Sequence, residues 1–279
     1  MTIELTGTTS GSVEKLTPRQ IKDTFIDAFV VLPENEYEGQ FCERPCSPKK
    51  VPVVVFMHGS SGITEPVKEF GRALAKEGFA FFAPNSMATP DRLTYTSPVA
   101  RETYEKIHAM RAAELKFAIE HLYELPFFNG EYVIAGTSEG GVTVARCEAK
   151  CETGVEKGRM IFSWSCEDNY HVVAHGTNIP DTVPVLNVMS ATDKFFSRAN
   201  SYLDNDEALG NASRTLKDHP DCTVVLLPGA PHTLFNLPSA QTMIVAFKAS
   251  CGLCKIRWPR QGLNNQCSHL PSKTHSFVR

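Results

Sequence analysis

The residues Val133-Ile-Ala-Gly-Thr-Ser138-Glu-Gly-Gly-Val-Thr-Val144 carry an apolar, strand-like run straight into Gly-Thr-Ser-Glu-Gly-Gly and then resume an apolar pattern with no ordinary loop between. One serine therefore sits at the apex of an abrupt strand-to-helix turn, with glycine two positions before it and two after. Such a turn lifts the side chain off the end of a sheet. It also aims the first N–H groups of the following helix, which lack intrahelical partners, toward the same spot. Close passage of strand against helix leaves no room for side chains at Gly136 and Gly140. A serine hydroxyl is a poor nucleophile until a base takes its proton and donors stabilise the charge developing on the attacked carbonyl. The same spacing also suits a glycine-rich turn that merely caps a helix, so the surrounding chain must decide.

Outward from that turn, six runs rich in β-branched or aromatic residues alternate with stretches of helical period: 51–57, 79–83, 131–135, 159–164, 184–189 and 222–227. They are continuously apolar rather than alternating, as strands covered by helices on both faces are, which predicts a mostly parallel sheet. The run Phe25-Ile-Asp-Ala-Phe-Val-Val-Leu32 predicts a leading strand at an antiparallel edge. Helices are predicted at 65–77, where Val67, Phe70 and Leu74 precede Gly78, and at 101–125, where Ile107, Met110, Leu115, Ala118 and Leu122 share one pattern ending before Pro126. Residues 200–209 and 238–249 are further predicted helices. This succession predicts a single doubly wound α/β domain over residues 1–250 with right-handed crossovers. Two segments break the rhythm. Residues 85–100 form a proline-punctuated excursion at a carboxyl end of the sheet, where loops shape pockets or lids. Residues 251–279, with five Lys or Arg and no acid, read as an extended basic tail that carries cysteines.

Of the 279 residues, 42% are hydrophobic and 21% charged, the balance of a soluble globular protein with a sizeable core. A net charge of -3 gives no global reason to expect nucleic acid or a membrane surface as partner, so the expected partner is a small molecule; oligomeric state is not legible. The opening Met1-Thr-Ile-Glu-Leu-Thr lacks a basic, signal-like start, and no run reaches spanning length, so a cytoplasmic protein is expected. Nine cysteines then read as reduced thiols. Cys251-Gly-Leu-Cys254 with Cys267 and His269 offers zinc ligand types, but Cys-x-His is not a usual half-site, and neither metal nor cofactor is expected. Cys42 with Cys46, and Cys147 with Cys151, are weaker pairs still.

A base and an acid are found where this architecture puts them, in the order Ser, Asp, His. After the run 184–189 comes Ser190-Ala-Thr-Asp193, and after 222–227 comes Pro228-Gly-Ala-Pro-His232-Thr-Leu-Phe. Asp193 could be only a turn residue and His232 only a buried one, while Glu167 and Asp168, after the run 159–164, are rival acids. His108 and His121 read as surface or packing residues of a helix, and His171 and His175 as residues of an irregular segment that could border a pocket. The Glu139 side chain reads as a dipole partner at a helix start, with acid catalysis as the alternative. By position, Tyr95, Trp164 and Phe195 line the pocket.

Four motifs stand in register: His58-Gly-Ser-Ser-Gly62, Gly136-Thr-Ser-Glu-Gly-Gly141, the Asp193 turn and Gly229-Ala-Pro-His232-Thr-Leu-Phe235. Through them the chain resembles the α/β-hydrolase superfamily, and within it the dienelactone hydrolase-like family, over about residues 25–250. The resemblance implies an α/β-hydrolase fold in which Ser138 attacks an acyl carbonyl, His232 takes and returns the proton, and Asp193 orients the imidazole. It implies an oxyanion site made by the N–H of Glu139 and one from the 58–62 loop, Ser60, with His58 shaping that loop. It hints that Arg92, Arg101 or Arg198 holds a substrate carboxylate. Dienelactone hydrolases proper use a cysteine nucleophile, whereas this chain has Ser138, a departure that points to a serine esterase acting on a small ester, thioester or lactone. A catalytically silent scaffold that binds a ligand or partner, or an acyltransferase or peptidase using the same triad, are the alternatives.

Overall fold

The structure, a computed structural model, describes residues 4–44 and 49–253. In chain order its strands are β1 Thr8–Ser10, β2 Phe29–Val31, β3 Glu38–Gln40, β4 Val51–Met57, β5 Ala80–Ala83, β6 Thr94–Thr96, β7 Phe128–Thr137, β8 Val155–Phe162, β9 Val185–Ser190 and β10 Cys222–Leu227. Its helices are α1 Pro18–Ile26, α2 Glu65–Lys76, α3 Arg101–Glu120, α4 Glu139–Arg146 and α5 Pro238–Ser250. Eight strands form one sheet in the order β10-β9-β8-β7-β4-β5-β2-β3. The six long apolar runs of the sequence are its six parallel strands, while β2 pairs antiparallel with both β5 and β3. This is the α/β-hydrolase arrangement that the motifs imply.

Strand residues alternate between two apolar layers because successive side chains point to opposite faces. Val53, Val55 and Met57 of β4 pack with Phe25 of α1, Leu115 and Ala118 of α3 and Val142 and Val144 of α4. Val54 and Phe56 pack on the other face with Val67, Phe70 and Leu74 of α2 and with Ile244 and Phe247 of α5. Covered on both sides, β4, β5 and β9 bury every residue but Pro52, whereas the edge strand β10 is only partly covered.

β4 leads through α2 on one face to β5, and its neighbour β7 leads through α4 on the other face to β8. The loops leaving the carboxyl ends of β4 and β7 therefore diverge and open a crevice, the place where α/β sheets bind ligands.

Three local expectations are corrected. The run 25–32 is not all strand, because Phe25 and Ile26 close α1 and only Phe29–Val31 pairs. The capping box at Thr17, where Gln20 N–H donates to Thr17 Oγ1 and Gln20 Oε1 accepts from Thr17 N, starts this helix with Pro18 at its first position. β3, not β2, is the sheet's antiparallel edge, opposite β10. Residues 200–209 are turns, not helix: the Asn200 and Asn205 side chains accept from the N–H groups of Tyr202 and Glu207, two residues on, and such local bonds compete with a helical ladder. The excursion 85–100 carries β6, which pairs antiparallel with β1 beside the main sheet. The tail from residue 254 onward, with Cys254, Cys267 and His269, lies outside the described residues, as does Cys46. Among the described residues, no helix is long and apolar enough to cross a membrane.

Candidate active site

Ser138 stands alone between the last residue of β7 and the first of α4, at φ 54° and ψ -118°. Left-handed backbone at a non-glycine residue costs on the order of 1–3 kcal/mol and persists only where its surroundings over-determine it. Here they do. The Ser138 N–H donates to the Phe162 carbonyl at 2.9 Å, fixing the turn to β8. A Cβ on Gly136 would stand 2.4 Å from the Gly140 carbonyl oxygen, and one on Gly140 would stand 2.0 Å from that of Met57. The strand–helix crossing is thus as close as the two glycines suggest. As the first residue of α4, Glu139 has an N–H with no intrahelical acceptor.

Asp193 lies in the turn after β9 and is 1% exposed. Its Oδ2 accepts from His232 Nδ1 at 2.7 Å, and its Oδ1 accepts from the N–H groups of Phe195 and Phe196 at 2.8 and 3.0 Å. Burial alone would raise its pKa, but the hydrogen bond and charge of His232 and the two backbone donors outweigh it and hold the carboxyl below the ordinary 3.8. With Nδ1 committed to Asp193, Nε2 is the free nitrogen of His232. The loop that carries His232 is pinned from two strands: Ser163, just past β8, donates through Oγ to the His232 carbonyl, and Ser190 of β9 donates to that of Ala230.

Ser138 and His232 open onto one cleft of about 670 Å³, a size typical of small-molecule sites. Ser60 and Ser61, from the loop after β4, form its near wall. His58, at the base of that loop, is fully buried. It accepts from Ser86 N–H through Nε2 at 3.1 Å and so donates through Nδ1 to the Gly59 carbonyl at 2.7 Å. Burial, with Arg111 nearby, depresses its pKa well below the ordinary histidine value, so it is a neutral loop former.

Other expected residues divide. Tyr95 and Phe195 line the cleft. Trp164 does not: it is fully buried, packed edge-on against Phe196 at 5.0 Å and over Gly141, because it points into the sheet face rather than past its end. Arg92, Arg101 and Arg198 are also absent from the lining. Arg92 is committed to Glu139 at 2.6 Å, Arg101 to Asp204 and the Asn169 carbonyl, and Arg198 to the Ala208 carbonyl. The rival acids serve loops: Glu167 accepts from the N–H groups of Leu209 and Gly210, and Asp168 from that of His175. The Glu139 carboxylate does not face solvent as a dipole partner would; it is fully buried between Arg92 and Arg111.

His171 lines the cleft with Tyr170 and Phe196, whereas His175 bonds locally to Thr177. His171 is 2% exposed, lies over Tyr104 with ring centres 4.0 Å apart and planes tilted by 34°, and meets the Tyr95 hydroxyl through Nε2 at 3.1 Å. Burial depresses its pKa well below the ordinary value, with His108 adding to the effect. His108 itself is buried in the same cluster and lowered to about 3. The residues that sequence reading missed are Tyr170, Ser163, Arg111 and Glu114. For the last two a signal existed, since both fall on the apolar stripe of α3 beside Ile107, Leu115 and Ala118, where a charge must be paired.

A model of the dienelactone hydrolase family matches residues 40–250. No curated protein matches the sequence. Among solved structures, TT1662 from Thermus thermophilus aligns at 16% identity over 82% of this chain and 94% of its own, with a TM-score of 0.53. Esterase PE8 aligns at 16% identity over 80% and 97%, with a TM-score of 0.51. A thermophilic esterase from Thermogutta terrifontis, Est2, solved with propionate bound, aligns at 13% identity over 82% and 90%, with a TM-score of 0.50. At these identities the likeness is one of fold.

Proposed function

This chain belongs to the dienelactone hydrolase family and is a hydrolase of ester bonds, and from that premise we propose that it is a serine carboxylesterase working through an acyl-enzyme on Ser138. The observation that carries the reading is the Asp193–His232 pair, bonded at Nδ1 at 2.7 Å, with its imidazole on the same cleft as a strained serine. His232 Nε2 takes the proton as Ser138 Oγ adds to the ester carbonyl, and the carbonyl π electrons move onto oxygen. The N–H groups of Glu139 and Ser60 receive that oxyanion; losing one such donor costs about 3–4 kcal/mol of barrier. The imidazolium, steadied by Asp193, protonates the leaving alkoxide as the C–O bond breaks. Water, deprotonated by the same nitrogen, then releases the acid.

The walls suggest the substrate. Tyr95, Tyr170, His171, Phe195 and Phe196 form an aromatic lining without an acidic side chain, and its lysine, Lys194, is solvent-exposed. With His171 neutral and the three candidate arginines engaged elsewhere, the lining favours a small uncharged ester with a flat apolar part.

Intact-mass measurement after fluorophosphonate treatment, with peptide mapping, tests the nucleophile. One adduct confined to Ser138, absent in Ser138→Ala, is expected. Folded protein that takes no adduct, or takes it elsewhere, would sink the assignment.

A further inference from the structure

Glu139 faces two ways. Its backbone N–H is one of the two proposed oxyanion donors, while its enclosed carboxylate Oε1 lies 2.6 Å from Arg92 Nη2 and 3.3 Å from Arg111 Nε. Arg111, from α3, donates through Nη2 to the His58 carbonyl at 2.8 Å and through Nη1 to Glu114 Oε2 at 2.6 Å. Glu114 Oε1 in turn accepts from Ser86 Oγ at 2.6 Å, and Ser86 N–H closes the circuit on His58 Nε2 at 3.1 Å. The two donors thus stand on separate segments, one at the start of α4 and one in the loop after β4, and a single guanidinium meets both, through a hydrogen bond to the His58 carbonyl and an ion-pair contact with Glu139. Arg92 and Ser86 tie the 85–100 excursion into the same circuit.

Every charged member is at most 4% exposed, and the four charges cancel as two cations and two anions. Enclosed ion pairs contribute little beyond what well-packed apolar side chains would, so stability alone is a weak reason for four ionised groups here. Direction is a better one. A guanidinium is a rigid planar fork, and oxyanion donors act only when held at about 2.7–3.1 Å from where the oxyanion will form. We propose that Arg111 and Glu139, braced by Arg92 and Glu114, are positioning residues that set the spacing of the two oxyanion donors; the inference rests on the acyl-enzyme reading above.

The role predicts a particular kinetic signature. The ground-state carbonyl engages the donors weakly and the tetrahedral state strongly, so misplaced donors lower kcat and leave KM alone. Glu139→Gln removes the charge at constant shape, Arg111→Lys keeps the charge and removes the fork, and Arg92→Lys disturbs Glu139 from the excursion alone. Each is assayed with p-nitrophenyl acetate, with kcat divided by the number of sites that a fluorophosphonate titrates, so that unfolded protein does not count. We expect kcat per titrated site to fall about 10–100-fold in Glu139→Gln and Arg111→Lys, with KM within about twofold and a smaller loss in Arg92→Lys. Values per site within about twofold of wild type, with only the unfolding midpoint lowered, would overturn the proposal, as would loss of the folded state in all three variants. Wild-type protein that takes no label on Ser138 would instead remove the acyl-enzyme reading, and this inference with it.

Discussion

Asp193 is enclosed to a degree that an ionised carboxylate tolerates only while donors face it, and three do. Because its folded pKa lies below the ordinary 3.8, the charged form stabilises the fold above that value, and the contribution is lost as pH falls through the folded pKa. Asp193→Asn keeps an oxygen for the Phe195 and Phe196 N–H groups but surrenders the charge. The gap in thermal midpoint between wild type and variant should therefore be full at pH 7 and close as pH drops below the ordinary Asp range. A gap unchanged at acid pH would mean that the carboxylate's charge is not what the fold uses. Under the proposed mechanism the same variant no longer fixes the tautomer that leaves Nε2 free for proton transfer, so kcat is expected to fall by about four powers of ten. The pairing of Asp193 with His232 was legible because the topology dictates which strands an acid and a histidine must follow to meet. Trp164 was misplaced because sequence position puts a residue near a strand end without saying whether it points past that end or into the sheet face, and Gly141 makes room for it inside.

For the elements around Ser138, contact distance rather than conformational freedom decides what can be changed. Gly140 has ordinary backbone dihedrals, yet a Cβ there would stand 2.0 Å from the Met57 carbonyl oxygen and 2.7 Å from that of His58. Backbone cannot yield as a flexible side chain can, so Gly140→Ala should cost about 3 kcal/mol or more, or prevent folding. Gly59, whose Cβ would meet nothing nearer than 3.5 Å, should take the same change for under about 1 kcal/mol. Urea unfolding of the two variants compares them directly, and similar losses would refute the crowding argument. The glycine pair announced this crossing in the sequence, just as apolar spacing announced α2 and α3. What apolar spacing hid was local competition: a capping box drew Phe25 into α1, and Asx turns dissolved the expected helix at 200–209. The stripe of α3 was read for its apolar members alone, and the two charges within it were passed over.

Across the whole molecule, six continuous apolar runs were enough to expect a parallel sheet, because only helices on both faces permit them. They could not give the strand order, which depends on pairings between residues distant in the chain, nor say what fills the crevice that the order creates. The crevice decides the substrate. A carboxylate carried to an aromatic wall without a partner loses its hydration and gains nothing in return. Arg92, once a candidate partner, already neutralises Glu139, and His171 carries no charge to offer. Methyl benzoate and the monomethyl ester of terephthalic acid share a leaving group and a ring and differ by one distal carboxylate. The uncharged ester should be preferred by about tenfold or more in kcat/KM, a gap of about 1.4 kcal/mol, with most of it in KM, since the carboxylate is desolvated on binding before chemistry begins. Added salt should leave that preference nearly unchanged, because what opposes the acid is lost hydration rather than a distant charge. A preference for the acid that fades with salt would point instead to Lys194, the exposed cation of the lining, and the neutral-wall reading would fall while the triad stood.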